Sequence, residues 1–178
     1  MGIRSFENKV PVIGQGSWAD PSAQIIGAVT LGEDCSVWPC AVIRGDMHSI
    51  VIGDRVSVQD NAVLHITHAS DFNPGRFGLQ IGSDVTIAHQ AMLHGCTIGN
   101  RVMIGMQAIV MVGAVIGDDV ILAAGSLVPP GKQLAGGYLY RGRPAEPARP
   151  LTDKERAFLP YVAGNYVKLK NRYLAEEG

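Results

Sequence analysis

Residues 81–128 read IGSDVTIAHQAMLHGCTIGNRVMIGMQAIVMVGAVIGDDVILAAGSLV. In this stretch an aliphatic residue returns at almost every sixth position. The same period runs upstream to Ala19, with interruptions after Ile43 and Leu64, and a small or medium-sized residue stands four positions after most of the aliphatics. A period of six with two inward positions per repeat is typical of short stacked strands, and an amphipathic helix does not produce it. The sequence therefore predicts a parallel β-helix.

The repeat resembles the hexapeptide-repeat superfamily, whose members fold as left-handed triangular prisms with three hexapeptides per coil. The resemblance implies an all-β fold, a left-handed parallel β-helix, which we expect over residues 11–135 of a single domain comprising residues 1–178. Three extra residues within 44–49 and about eleven within 70–80 interrupt the period. We expect both insertions to project from the prism as loops, and the second, which is rich in turn residues, is the candidate functional flap.

The C-terminal part of the chain changes its period. Thr152 and Glu155 have the spacing of a capping box, and the apolar residues that follow recur at helical intervals. This pattern predicts an α-helix over residues 151–175, with its apolar face packed on the prism. Pro160 and Gly164 are expected to kink or divide that helix.

Composition and charge exclude several classes of function. The chain has 15 Lys and Arg residues against 16 Asp and Glu residues. It contains no basic run, so neither nucleic acid nor an anionic membrane is an expected partner. No apolar stretch approaches the roughly 20 residues of a membrane span. The three cysteines form no C-x-x-C pair, and the N-terminus is charged where a signal peptide is apolar. We therefore expect a cytoplasmic protein.

The register of the repeat brings two of the five histidines together. His65 and His94 each follow an aliphatic position by one residue and lie three hexapeptides apart. With three hexapeptides per coil they stack one coil apart, at a strand spacing of about 4.7–4.9 Å. Two imidazoles at this spacing can converge on one metal ion. Arg44 falls one coil below in the same column.

A second group lies on another edge of the predicted prism. It contains His89, with Asp60 one coil below and Gln59 beside it. One chain therefore presents two separate half-sites. A three-fold rotation of identical prisms brings unlike half-sites face to face. We infer a homotrimer with three equivalent sites, each using His65 and His94 from one subunit and His89 from the next.

Four strings resemble the γ-class carbonic anhydrases and their bacterial relatives, over roughly residues 10–175. They are Arg44-Gly-Asp46, Val58-Gln-Asp60-Asn-Ala-Val-Leu-His65, Ala88-His89-Gln-Ala-Met-Leu-His94-Gly and Ile104-Gly-Met-Gln107. The resemblance implies that the three matching histidines bind a catalytic Zn²⁺, with Fe²⁺ or Co²⁺ as variants, across the trimer interface. It also implies that Gln59 orients the metal-bound solvent. Arg44, Asp46 and Asp60 are expected to join subunits through charged contacts near the site.

The implied activity is that of a zinc-dependent carbonate dehydratase, a lyase in which metal-bound hydroxide attacks CO₂ to give bicarbonate. Three neutral imidazoles leave a fourth metal position for water, whose pKa the ion lowers to about 7. The sequence departs from the family in its loop glutamates, whose places hold Met47 and His68. We therefore expect His68 to transfer protons, and either weak CO₂ hydration or another small-molecule substrate. Tyr138 and Tyr140 are further candidates for a hydroxyl near the metal.

Two other classes of function stay open. Hexapeptide-repeat proteins include acyl-CoA-dependent acyltransferases, which use one histidine as a base and need no metal, but that chemistry leaves the histidine spacing unexplained. The third reading is a non-catalytic trimeric scaffold in which the metal only fastens the subunits. Removal of the metal discriminates among the three classes.

Overall fold

The computed structural model describes residues 2–68, 70–71, 75 and 78–177. Within these residues the chain winds into a left-handed parallel β-helix of about seven coils, followed by one α-helix. The predicted fold class is confirmed. Among the described residues, no helix is both long enough and apolar enough to cross a membrane.

The β-helix is a triangular prism whose three faces are numbered here in chain order. Face 1 contains β1 (Gly2–Arg4), β8 (Val63–His65), β11 (Met92–His94), β14 (Ile109–Val110) and β17 (Leu127–Val128). Face 2 contains β2 (Val12–Ile13), β9 (Leu79–Ile81), β12 (Thr97–Ile98), β15 (Val115–Ile116) and β18 (Gln133–Leu134). Two longer strands, β4 (Gln24–Leu31) and β6 (Val42–Ile52), bend across the corner between faces 1 and 2 and belong to both.

Face 3 is a separate sheet on the third side. It contains β3 (Trp18–Ala19), β5 (Ser36–Val37), β7 (Ser57–Val58), β10 (Thr86–Ile87), β13 (Val102–Ile104), β16 (Val120–Leu122) and β19 (Tyr138–Arg141). The short strand β20 (Glu146–Pro150) closes this face by pairing antiparallel to β19. The strands therefore begin before and end after the predicted limits of residues 11–135.

The six-residue period places like residues on like residues in successive coils. Leu93 of β11, for example, lies opposite Leu64 on one side and Val110 on the other. All three side chains are fully buried. Because side chains alternate across a strand, the aliphatic position always points inward and its neighbours always point outward. This alternation creates one continuous aliphatic core along the prism axis.

Glycines follow the aliphatic position at the corner between faces 2 and 3 because the coils approach too closely there for a side chain. A Cβ added to Gly82 would lie 2.8 Å from the backbone of Gly99, and one added to Gly99 would lie 2.8 Å from the backbone of Gly117. The recurring Ile-Gly dipeptide thus reflects contact between stacked turns.

The same corner carries a column of alternating charges, named here the corner ladder. It consists of Asp34, Arg55, Asp84, Arg101 and Asp119, which occupy equivalent turn positions in five successive coils. All five have a left-handed backbone conformation, with φ between 52° and 60°. Arg55 Nε donates to Asp84 Oδ1 at 2.7 Å, and Arg101 Nε donates to Asp119 Oδ1 at the same distance. Each arginine of the column therefore lies between two aspartates.

The first insertion does not form the projecting loop that the sequence predicted over residues 44–49. Gly45 pairs with Gly27 of β4, and Ile50 pairs with Val29, so the extra residues form an irregularity inside β6. Four residues of β6 stand opposite the single residue Ala28, which bends the strand around the corner. Of the candidate flap over residues 70–80, residues 72–74, 76 and 77 lie outside the described residues.

The C-terminal helix α1 (Asp153–Glu177) begins with the predicted capping box. The Thr152 N–H donates to Glu155 Oε2 at 2.9 Å, and the Glu155 N–H donates to Thr152 Oγ1 at 3.2 Å. Helix α1 runs without a break through Pro160 and Gly164, so the expectation that it divides there is wrong. Burial of its inner face against the prism outweighs the cost of a proline in a helix, which is about 3 kcal/mol.

Helix α1 lies along face 3 and connects the two ends of the prism. Near its start the Arg156 side chain reaches the Gly137 carbonyl of the last coil, at 3.4 Å. Near its end the fully buried Lys170 Nζ donates to Asp34 Oδ1 at 2.8 Å. Between these contacts Tyr166 packs on Trp38, with ring centroids 5.8 Å apart. The helix therefore covers the outer surface of face 3.

Candidate functional site

The first histidine group lies at the end of face 1, at its corner with face 2. His65 and His94 are the last residues of β8 and β11 and are direct register partners. Their ring centroids are 5.4 Å apart, with an angle of 55° between the rings. The predicted stacking of these two histidines is confirmed. It follows from the in-register pairing of strands that each end one residue after an inward aliphatic.

A carboxylate and a guanidinium hold the first group in place. Arg44 donates to Asp46 Oδ2, and His65 Nε2 lies 3.1 Å from Asp46 Oδ1. Burial raises the pKa of Asp46, but hydrogen bonds from Arg44 and His65 outweigh it and the net shift is downward. The Asp46 carboxylate therefore stays ionised and accepts a hydrogen bond from the Nε2 atom of His65. The other nitrogen of His65, Nδ1, then carries a lone pair.

His94 is kept in its neutral form. Burial lowers the pKa of His94, and the nearby His65 and Arg44 lower it further. A neutral imidazole is the form in which histidine binds a metal ion. The first group therefore offers two adjacent imidazoles, and the surroundings of His94 favour the form that binds a metal ion.

The second group lies at the corner between faces 3 and 1. His89 Nδ1 lies 2.8 Å from Asp60 Oδ2, and both side chains are partly exposed. Because an ionised carboxylate only accepts hydrogen bonds, the Nδ1 atom of His89 carries the proton and Nε2 carries the lone pair. Carboxylates commonly orient metal-binding histidines in this way. Gln59 lies in the same corner and is only 3 % exposed.

The two groups stay apart within one chain. Face 1 separates them, and among the described residues of the single chain no three His, Cys, Asp or Glu side chains converge on one point. The donor set nevertheless fits a divalent transition metal, since it consists of imidazoles, two of which are backed by carboxylates. A complete three-histidine site therefore requires both groups, contributed by different copies of the chain.

His68 lies beside the first group, as the sequence placed it. This exposed residue lines an open cavity of about 460 Å³ together with Asp46 and Met47. The opposite wall of the cavity contains Glu7 and Lys9 from the N-terminal turn. Sequence reasoning missed these two residues, because no periodic signal connects the N-terminus to this corner.

The structure does not bring Tyr138 and Tyr140 to either histidine group. Both belong to β19, which is three strands beyond β10 on face 3. The Tyr140 ring is part of the core, and its hydroxyl donates to the Ala135 carbonyl at 3.0 Å. Burial raises the pKa of Tyr140. Within one chain the repeat places these residues at the C-terminal end of the prism, away from both groups, so a tyrosine hydroxyl near the metal stays a prediction.

The family profile "Bacterial transferase hexapeptide (six repeats)" matches residues 11–45 and 95–130. The Escherichia coli protein YrdA is 51% identical over 172 residues, which cover 97% of this chain and 94% of YrdA. Gamma carbonic anhydrase 1 from Arabidopsis thaliana, a mitochondrial protein, is 36% identical over 95% of this chain, which spans 61% of that protein. Both alignments therefore span nearly the full length of this chain.

A solved structure shows the same architecture. The hexapeptide transferase family protein from Anaplasma phagocytophilum superposes with a TM-score of 0.88 at 36% sequence identity. The match covers 96% of this chain and 97% of that protein. The overall architecture of this chain therefore recurs in that structure.

Proposed function

Because the chain belongs to the hexapeptide-repeat superfamily and, within it, to the family of γ-class carbonic anhydrases and their bacterial relatives, we propose that it is a metal-dependent enzyme that hydrates CO₂ to bicarbonate. One observation carries the proposal. Two histidine groups, each with a ring backed by a carboxylate, lie at the two corners that border face 1.

The composition of the outer surface of face 1 supports assembly into an oligomer. Its outward positions are aliphatic in five successive coils: Val42, Val63, Met92, Ile109 and Leu127. The corresponding positions of face 2 are mixed, with Thr30, Gln80, Thr97 and Gln133 interspersed with three valines, and face 3 is covered by helix α1. An apolar stripe of this kind is best buried against another protein surface. We propose that further copies of the chain cover it in a closed homotrimer.

Trimer formation through face 1 would join unlike half-sites. Its two corners carry His89 on one side and the pair His65 and His94 on the other. In a ring of three heterologous contacts, the first corner of one protomer meets the second corner of the next. Each of the three interfaces would then contain three imidazoles from two chains.

These three histidines would hold Zn²⁺, Fe²⁺ or Co²⁺. An ion with three imidazole ligands and an open position lowers the pKa of coordinated water from 15.7 to about 7, and so supplies a nucleophile at neutral pH. Asp60 orients the ring of His89, and Asp46 orients that of His65. Arg44 in turn fixes Asp46.

Two further polar residues are candidates for substrate binding and proton transfer. The amide of Gln59 is buried and makes no side-chain hydrogen bond to the described residues, so it is available to a substrate oxygen. His68 is exposed to the open cavity next to Asp46, where its imidazole can exchange a proton with solvent. We propose that His68 passes the proton of each turnover to solvent through this cavity.

We also propose a cytoplasmic location. All three cysteines, Cys35, Cys40 and Cys96, are free thiols. Reducing compartments maintain cysteines in this state.

The experiment that tests the proposal combines metal analysis, CO₂ hydration and oligomeric state. The anaerobically purified protein is assayed before and after treatment with a chelator, and its mass is measured by sedimentation. We expect one metal ion per chain, a mass three times that of the monomer, and hydration that chelation abolishes. Metal without hydration would favour another substrate or a scaffold, and the absence of metal would favour an acyltransferase.

Single variants locate the metal. His89→Ala should lower metal content at least tenfold while the β-sheet circular dichroism signal persists. His48→Ala is the matched control, because this half-buried histidine lies outside both groups and its Nδ1 atom contacts only the N–H and the hydroxyl of Ser49 among the described residues. A folded His89→Ala trimer that retains full metal occupancy contradicts the proposed ligand set.

The second candidate function is acyl transfer. The pair of His89 and Asp60 favours it, because a histidine with its Nδ1 atom on a carboxylate can act as a general base through Nε2. This activity would need neither His65 nor His94. Retention of activity in His65→Ala, together with loss in His89→Ala, would support the acyltransferase over the carbonic anhydrase.

A further inference from the structure

The aliphatic core is closed at one end of the prism and open at the other. At the C-terminal end, residues 142–145 hydrogen-bond to both backbone groups of Leu127 in the last coil, and Ala145 is fully buried. At the N-terminal end, the inward column of face 2 begins with Ile13, which pairs with Leu31 of the next coil. Ile13 is 36% exposed, whereas Leu31 is buried. The described residues therefore leave the N-terminal end of the core, named here the open end, uncovered.

Helix α1 extends past the open end. Tyr173 packs on Trp18 of β3, in the first coil, with ring centroids 4.9 Å apart. The helical residues that follow, up to Glu177, add about 6 Å at about 1.5 Å per residue, which exceeds the strand spacing of about 4.8 Å. Leu174 lies four residues after the fully buried Lys170 and so on the same side of the helix, yet it is 38% exposed. The inner side of the helix thus continues beyond the described coils of the prism.

The open end also carries strand edges and charges that find no partner within the described chain. Strands β1, β2 and β3 each pair on one side only, and Val12 of β2 is exposed. Arg4, at the end of β1, donates to the Gln24 amide, and Asp20, directly after β3, accepts from Ser22. Neither forms an ion pair with a described residue. An exposed strand edge with apolar side chains is a surface on which another strand edge pairs.

A second copy of the chain, placed head to head, matches this surface. The proposed trimer turns face 1 towards its three-fold axis. A two-fold axis perpendicular to that axis exchanges faces 2 and 3 of the two facing prisms and reverses the strand direction. The edge of β2 in one copy then meets the edge of β3 in the other, in antiparallel orientation. The end of helix α1, which overhangs face 3, covers face 2 of the facing copy, with Leu174 next to Val12.

The charges agree with the same arrangement. Arg4 lies at the corner between faces 1 and 2, and Asp20 lies at the corner between faces 3 and 1. The two-fold axis exchanges these two corners, so Arg4 of one copy meets Asp20 of the other. The C-terminal end offers no such match, because its core is covered and because Arg141 and Arg143 form no ion pair with a described residue and would repel their copies.

We propose that two trimers pair through their open ends into a hexamer, in which the β2 edge of each chain is buried against β3 and the end of helix α1 of a facing chain. The inference rests on the trimer of the proposed function, because the two-fold axis is defined relative to its three-fold axis. The occupant of the open end is a copy of this chain, since the symmetry joins each exposed element to its complement.

The test is sedimentation equilibrium of the purified protein over a series of concentrations. We expect a trimer at the lowest concentrations and a reversible approach to six times the monomer mass as the concentration rises. Val12→Lys places a charge at the β2 edge. A hexamer contains six copies of the contact, so a weakening of each by about threefold lowers the association constant of two trimers by about 700-fold. Val51→Lys is the matched control, because Val51 is an exposed outward valine of face 2 two coils further along.

Reversal of charge tests the arrangement of the faces. Arg4→Glu and Asp20→Lys should each weaken the association of trimers, because like charges then meet across the two-fold axis. The double variant Arg4→Glu/Asp20→Lys should restore it. Thermal unfolding of each variant verifies that the fold is retained.

The outcomes separate this inference from the proposed function. A trimer whose mass stays constant over the whole concentration series overturns the inference and leaves the proposed function intact. Hexamers that persist in Val12→Lys, or that Val51→Lys abolishes equally, also overturn it, as does a double variant that associates no better than the two single variants. Pairing of single chains that only Val12→Lys abolishes supports the contact at the open end and contradicts the trimer.

Discussion

Removal of the charge of Asp34 should destabilise the protein much more than removal of its partner Lys170. The Lys170 side chain is fully buried in the contact between helix α1 and the prism, whereas the Asp34 side chain is 46% exposed. Asp34→Asn therefore leaves a buried ammonium without a counter-ion. Lys170→Met leaves only a carboxylate that water can still solvate.

The magnitudes follow from this difference in burial. A buried charge that loses its partner typically costs about 3–5 kcal/mol. Asparagine retains a carbonyl acceptor for the Lys170 Nζ, which offsets about 1 kcal/mol. Asparagine also tolerates the left-handed backbone conformation at this position, where φ is 55°. We therefore expect Asp34→Asn to lower the free energy of unfolding by about 2–4 kcal/mol, and Lys170→Met to lower it by less than about 1 kcal/mol.

The assay is urea unfolding followed by far-UV circular dichroism, with all proteins at the same concentration because subunit association adds to stability. The two variants are compared with wild type under identical conditions. If Lys170→Met proves as destabilising as Asp34→Asn, the mutual attraction of the pair determines stability, and the reasoning from burial is refuted.

Three further predictions concern other parts of the fold. Burial raises the pKa of Cys96 to about 12. At pH 8 a thiol reagent should therefore modify only the exposed Cys40 rapidly in the folded protein, and all three cysteines after unfolding. Rapid modification of more than one thiol in the folded protein would contradict this prediction. Gly99→Ala forces a Cβ against the next turn and should lower the free energy of unfolding by about 1–3 kcal/mol. Gly164 has open space around it, so Gly164→Ala should raise the free energy of unfolding by about 0.5–1 kcal/mol. Equal effects of the two substitutions in urea unfolding would exclude the steric explanation. The pKa of Glu155 is lowered from 4.5 to about 2, first by hydrogen bonds from an arginine, so its stabilising contribution is complete above about pH 5 and is lost as the pH falls towards 2. The difference in stability between wild type and Glu155→Gln should vanish over that range, and a difference that persists at pH 2 would show that charge is not its source.

The repeat made the prism and part of the site predictable. The inward register follows from a local period, and parallel in-register stacking then fixes which residues meet in neighbouring coils. This is why the pairing of His65 with His94 and of His89 with Asp60 could be predicted from spacing. The capping box of helix α1 was predictable for the same reason, since it depends on residues three positions apart.

Features that depend on long-range packing could not be predicted in this way. The N-terminal turn with Glu7 lies outside the period, and only the folded chain places it opposite His68. Helix α1 remains continuous through Pro160 because the prism supports it, and its own sequence favoured a break. The irregularity in β6 after Gly45 was mistaken for a loop because a count of extra residues does not show whether the strand continues through them.

The corner ladder bears on how the chain finds the correct stacking during folding. A solenoid of near-identical turns can mispair by a whole turn, because each inward aliphatic finds another aliphatic in the wrong register. Because the charges of the corner ladder alternate in sign, such a slip is electrostatically unfavourable. A shift by one coil makes Asp34 the neighbour of Asp84, and Arg55 the neighbour of Arg101. Like charges would then be adjacent along the whole column. The aliphatic core stabilises contact between any two coils. The alternating charges at this corner favour only the stacking in which each coil meets its correct neighbour.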